Sequence, residues 1–136
     1  MIILVEDNAD QRLALRLALE QAHYPVREAA NGGEALALQR ARPSPFVITD
    51  IFMPEADGFE LIDAVKKEFP DTKIIVISGG GKTKMVNYLA SVRLMGVDAT
   101  LEKPFKVDSL LKTIEALSRP GRALAVCMAA EKARGA

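Results

Sequence analysis

The sequence predicts an α/β fold: one parallel sheet of five strands in the order 2-1-3-4-5, with helices packed on both faces. Three observations predict it. Short apolar runs rich in Ile and Val alternate with longer stretches of helical periodicity, up to about residue 118. Strands and helices alternating at this length form parallel βαβ units with right-handed crossovers. The strand-like runs also stop at polar or charged residues, as at Glu6-Asp7, Asp50 and Ser78. Finally, 136 residues suffice for one domain and not for two ordinary ones.

The elements follow in order. Ile2-Ile3-Leu4-Val5 is apolar throughout, as a strand buried on both faces should be. From Asn8 the pattern turns helical: Ala14, Leu15, Ala18, Leu19 and Ala22 form an expected core stripe, with Pro25 beyond the end. Leu13 and Leu17 flank that stripe and are expected to be half exposed. Asn8, followed three residues on by Gln11, is a capping-box signature in which the Asn8 amide oxygen accepts an orphan backbone N–H. Val26–Ala29 is a weak second strand. Asn31 and Glu34 repeat the cap and open a helix through Leu36 to Arg42, which Pro43 and Pro45 terminate. Phe46–Thr49 is a third strand ending at Asp50, and Asp57, with Glu60 three residues on, caps a helix running to Pro70.

Lys73–Ile77 is the fourth strand, ending at Ser78, followed by Gly79-Gly80-Gly81 and a helix from about Thr83 to Met95. Ala99–Leu101 is a short fifth strand ahead of Lys103, and Val107–Leu117 is the last helix. The sum is a flavodoxin-like (βα)5 three-layer sandwich over residues 1–118. Arg119-Pro120-Gly121-Arg122 breaks the last helix, so residues 119–136 are expected to be a C-terminal tail or a linker stub.

Composition narrows the function. Hydrophobic residues at 49% and charged residues at 26% exclude disorder and low-complexity fibres. Eighteen Lys and Arg balance eighteen Asp and Glu, which argues against binding nucleic acid or an anionic membrane by bulk charge. One cysteine, Cys127, makes neither an internal disulfide nor a multi-cysteine zinc site. One histidine, His23, excludes chemistry that needs two imidazoles; it is expected to be a solvated turn residue. Glu20, Arg27, Lys66 and Lys67 are expected to be plain solvated surface. The opening apolar run stops at Glu6, too short for a signal peptide or a membrane span, and a cytoplasmic location is expected.

The chemistry gathers at the strand ends. Glu6 and Asp7 follow strand 1, Asp50 strand 3, Ser78 strand 4 and Lys103 strand 5. In an open parallel sheet these positions share the carboxyl edge, where ligands bind. Any one of them could be a mere turn former; five on one edge call for more. Three carboxylates together repel and raise one another's pKa unless a cation lies among them. A hard, oxygen-seeking Mg²⁺, or Mn²⁺, fits such a set. With the Lys103 ammonium and the Ser78 hydroxyl, the edge can hold a phosphoryl group's charge while one carboxylate attacks as nucleophile.

Five fragments then carry a resemblance: Val5-Glu6-Asp7-Asn8, Thr49-Asp50-Ile51-Phe52-Met53-Pro54, Asp57-Gly58, Ser78-Gly79 and Lys103-Pro104-Phe105. In this order and on these strand ends, the chain resembles the CheY-like receiver domain of two-component response regulators. The resemblance covers residues 2 to about 118. It implies that Asp50 is the phosphoacceptor, taking its phosphoryl group from a phosphohistidine on a histidine kinase or a histidine phosphotransfer protein. It implies Mg²⁺ held by Asp7, Asp50 and the backbone carbonyl of Phe52, with Glu6 acting through water. Ser78 and Lys103 would bind the phosphoryl group, Phe52 and Gly80 would tune its lifetime, and Pro104 is a cis-peptide candidate. Leu13 and Leu17 are candidate docking residues for the donor. Output would pass by protein–protein contact to an unknown target or a missing output domain. No direct nucleic-acid or membrane partner is expected, and the protein would act on itself without being a turnover enzyme.

Departures and rivals sharpen the expectation. The family's switch position, three residues before the lysine, is usually aromatic and here is Thr100, which motivates an alternative: a receiver-like interaction module with phosphorylation-independent or non-standard switching. The stretch from Ser78 to Gly96 is about three residues longer than is common, and its glycine run suggests a mobile loop. Glu6 replaces the commoner aspartate, a change that a water-mediated ligand can absorb. Aspartyl phosphatases of the haloacid-dehalogenase type, and toprim-type Mg²⁺ sites, need a second aspartate two residues after the first; here that residue is Phe52. Gly81-Lys82-Thr83 imitates the end of a phosphate-binding P-loop but lacks the earlier glycine, Val76 standing in its place.

Overall fold

The computed structural model describes residues 1–51, 57–78, 92–103 and 105–118, with Asp57 and Ser78 through their backbone alone. Its elements are β1 (Ile2–Val5), α1 (Ala9–Gln21), β2 (Val26–Ala29), α2 (Gly32–Ala41), β3 (Phe46–Asp50), α3 (Asp57–Glu68), β4 (Lys73–Ser78), β5 (Ala99–Glu102) and α4 (Val107–Leu117). The strands lie in the order β2-β1-β3-β4-β5, and every neighbouring pair is parallel. The expected fold class is the observed one.

Alternate residues of a strand face opposite sides of a sheet, so strands that are apolar throughout demand cover on both. Ile3, Val5, Val47, Ile74 and Val76 face one side, packed with Ala35 of α2 and Leu61, Ile62 and Val65 of α3. Ile2, Leu4, Ile48, Ile75 and Ile77 face the other, packed with Leu19 of α1 and Leu110, Ile114 and Leu117 of α4. Burying one such Leu or Ile contributes roughly 1.5–3 kcal/mol, and this two-sided core is the main source of stability.

The edge of the sheet where the strands begin is tied by a buried polar knot. Gln39, fully buried at the end of α2, donates its amide to Ser44 O at 3.1 Å and to Thr72 Oγ1 at 2.9 Å. Its carbonyl accepts from Ser44 N at 2.8 Å, and Ser44 Oγ donates to Met1 O at 2.6 Å. Met1, Ser44 and Thr72 stand just before β1, β3 and β4, so the knot sets how those strands start relative to one another.

Several local expectations need correction. Ala14 is exposed, because it lies on the Leu13–Leu17 side of α1; among the expected stripe only Leu19 is fully buried. Arg27 is half-buried rather than plain surface: its guanidinium donates to Leu38 O at 3.2 Å and to Arg42 O, closing the end of α2. Glu20 is paired with Arg16 at 3.0 Å, and Lys66 is half-buried beside Asp98. Asp57 is the first residue of α3 rather than its cap, and that helix stops at Glu68. His23 does occupy an exposed turn, with φ at 71°. Of the expected fourth helix, residues 92–94 are helical and Val92 is buried in the first core; residues 83–91, the glycine run and residues 119–136 with Cys127 lie outside the described residues.

Candidate functional site

Register brings the site together. Val5 pairs with Thr49, so Glu6, one residue on, comes level with Asp50. Both follow the parity of Leu4 and Ile48, which face α1 and α4. Lys103 stands two residues beyond Leu101 of the same face. The first turn of α1 covers this corner, and Asn8 holds it there by accepting from Gln11 N at 3.0 Å.

The Lys103 ammonium is the hub. It donates to Asp50 Oδ2 at 3.0 Å, Glu6 Oε2 at 3.2 Å and Gln11 Oε1 at 2.6 Å, one acceptor for each of its three hydrogens. Glu6 is only 2% exposed and Asp50 6%. The other Glu6 oxygen accepts from Asn8 N at 3.2 Å. Burial pushes the Glu6 carboxyl up to about 7; the Asn8 N–H opposes the rise and Asp50 adds to it. Desolvation, more than repulsion among carboxylates, dominates that shift. Burial alone would lower the Lys103 pKa, but its hydrogen bond and attraction to Asp50, followed by those to Glu6, raise it above the ordinary value.

Asp7 completes the acidic set from an exposed position. One carboxylate oxygen each of Glu6, Asp7 and Asp50 lies within 4.8 Å of the others. Oxygens around an octahedral Mg²⁺ stand about 3 Å apart when adjacent and about 4 Å when opposite. A small adjustment of the exposed Asp7 brings the three into that range, so the donor set fits a hard divalent cation.

Gly58, at the start of α3, presses on the same corner. A Cβ there would stand 2.9 Å from Ile51 O, 3.0 Å from Asp50 O and 3.0 Å from Ile51 Cα. The absence of a side chain lets α3 approach the backbone that carries Asp50.

Of the expected site residues, Glu6, Asp7, Asp50 and Lys103 meet in one pocket. Thr100 is buried in β5, level with Val76 and, through it, with Thr49. Leu13 and Leu17 are 47% and 50% exposed on α1. Phe52, Gly80, Pro104 and the Ser78 side chain lie outside the described residues. Sequence reasoning missed two contributors. Gln11 was expected only in the cap, although it stands one helical turn beyond Asp7. Arg12 donates to Glu6 O at 2.7 Å and so fixes the backbone of the acidic pair.

Known proteins share this fold. The model of the response regulator receiver domain matches residues 2–115. The response regulator receiver protein CpdR of Brucella abortus is 37% identical over 114 residues, covering 84% of this chain and 92% of that protein. The sensor kinase CckA of the same organism is 34% identical over 84% of this chain, which spans only 12% of the kinase. The crystal structure of the receiver domain of NtrX from Brucella abortus superposes with a TM-score of 0.77 at 30% identity, covering 86% of this chain and 97% of that one. With the sheet order, the acidic cluster and the lysine already in place, these matches show that the chain belongs to the response regulator receiver domain family.

Proposed function

We propose that this chain is a phosphoacceptor: Asp50 takes a phosphoryl group from a phosphohistidine on a histidine kinase or phosphotransfer protein, and output passes by protein–protein contact. The observation that carries this reading is the pairing of Lys103 with a buried Asp50 beside two further carboxylates. An unpaired buried carboxylate is costly, so the Lys103 ammonium, 3.0 Å away, offsets the burial of Asp50. In the transfer, an Asp50 oxygen bonds to phosphorus as the P–N bond breaks, and the departing imidazole nitrogen takes a proton from water.

Receiver domains bind Mg²⁺ through an acidic cluster, and Glu6, Asp7 and Asp50 form one. Asp7 and Asp50 would hold the ion directly, with the Phe52 carbonyl, and Glu6 through water. The ion supplies charge neutralisation for the incoming phosphoryl oxygens. Lys103 follows the charge onto the phosphoryl group, and Ser78 contributes a hydroxyl donor. In this reading Phe52 and Gly80 tune the lifetime of the group, and Thr100 takes the switch position. Pro104 aims Lys103, and Leu13 with Leu17 forms the donor's docking patch. Residues 1–118 form the working unit, with 119–136 a tail or linker.

The experiment is incubation with Mg²⁺ and acetyl phosphate, followed by intact-mass measurement. One phosphoryl group is expected on the native chain and none on Asp50→Asn. Equal labelling of both, or of neither, overturns the assignment.

A further inference from the structure

The capping signature occurs twice in this chain, and its two copies are used differently. At α2, Asn31 Oδ1 accepts from Glu34 N at 2.8 Å, and the Glu34 carboxylate returns to the loop to accept from Ala30 N at 2.7 Å. At α1 the first half is the same, Asn8 Oδ1 accepting from Gln11 N at 3.0 Å. The second half is not. The Gln11 side chain leaves the cap, and Glu6 accepts from Asn8 N in its place at 3.2 Å. Gln11 Oε1 instead accepts from Lys103 Nζ at 2.6 Å, the shortest of that ammonium's three contacts.

The three acceptors around Lys103 are not equivalent. Glu6 and Asp50 belong to the acidic cluster: an entering cation draws both, and an entering phosphoryl group takes Asp50 as its nucleophile. Gln11 carries no charge, and its backbone is anchored by the helix cap. We propose that Gln11 is a positioning residue for Lys103, holding the ammonium at the pocket mouth while its two anionic partners change theirs. This rests on the reading of Asp50 as phosphoacceptor. Without Gln11 a flexible four-carbon stem has to find the phosphoryl group from solvent, at an entropic cost.

The test uses the full chain and two variants. Gln11→Met keeps the length and helix preference of the side chain and removes the amide acceptor; Gln11→Glu retains an acceptor at the same reach. With Mg²⁺ added, so that Glu6 and Asp50 turn to the cation, ¹⁵N spectra of lysine ammonium groups are expected to show a protected Lys103 signal, identified by its loss in Lys103→Arg. That signal is expected to disappear in Gln11→Met and to persist in Gln11→Glu. With Mg²⁺ and acetyl phosphate, Gln11→Met is expected to label about tenfold more slowly, and Gln11→Glu to stay within about threefold of the native chain. A protected Lys103 signal in Gln11→Met, or native labelling by that variant, overturns the proposal. If the native chain takes up no phosphate, the phosphoacceptor reading fails, and the ammonium signal alone then upholds or overturns the Gln11 contact.

Discussion

Glu6 and Asp50, level with each other at the ends of β1 and β3, share a single cation: Lys103 Nζ lies 3.2 Å from one carboxylate and 3.0 Å from the other. Burial, with a smaller push from Asp50, lets Glu6 hold a proton up to about pH 7.

That proton makes stability depend on pH. Between 4.5, the ordinary value, and about 7, folded Glu6 binds a proton that the unfolded chain has released. The folded state therefore loses stability as pH rises through this window, by up to about 3 kcal/mol, and the contribution is flat above it. In metal-free urea unfolding, Glu6→Gln is expected to flatten the pH 5–8 profile and to be more stable than the native chain near pH 8. An undiminished slope in Glu6→Gln shows that another group is responsible.

Lys103 competes with a divalent cation for the same oxygens. Replacing it by Met removes a positive charge from the pocket, so Mg²⁺ binding, measured by titration calorimetry, is expected to tighten by about threefold to tenfold. Labelling of Asp50 by acetyl phosphate is expected to fall by about a hundredfold, because a charged donor to the transferring group is lost. Weaker Mg²⁺ binding in Lys103→Met contradicts the competition.

How much of this was legible follows from which forces are local. β1, β3 and β4 announced themselves because side chains buried on both faces leave little polar alternation, and all five strands were expected within a residue or two of their observed ends. Glu6, Asp7, Asp50 and Lys103 were legible because a parallel sheet sends every strand end to one edge. Gln11 was not, since its backbone does what the capping pattern says and only its side chain departs, toward a residue 92 positions away. Arg27 misled for a similar reason: its charge suggested water, whereas the carbonyls it bonds, those of Leu38 and Arg42 at the end of α2, come from a different element.

Gly58 illustrates a constraint that motif matching registers without explaining. Its missing side chain leaves room for the carbonyls of Asp50 and Ile51. Gly58→Ala places a methyl group against fixed backbone rather than a yielding side chain, so either α3 or the end of β3 must shift. A loss of about 1–3 kcal/mol is expected in urea unfolding. Labelling of Asp50 is expected to slow as well, since the displaced backbone carries the nucleophile. A stable Gly58→Ala that labels at the native rate shows that the contact yields without cost.

The polar knot at the opposite edge supplies the contrast. Gln39 satisfies the Ser44 N–H and bonds the Ser44 carbonyl and the Thr72 hydroxyl, all within the interior. Gln39→Leu keeps the volume, so no cavity forms, but it strips the Ser44 N–H of its acceptor in a place water does not reach. Leaving such a group unsatisfied costs about 1–3 kcal/mol, and the two other broken bonds add to it. Urea midpoints are expected to fall accordingly. Because the knot lies where the strands begin and Asp50 lies where they end, the folded variant is expected to label with acetyl phosphate at the native rate. Slower labelling under conditions where Gln39→Leu is fully folded contradicts that separation, and shows that strand register at one edge is felt by the carboxylates at the other.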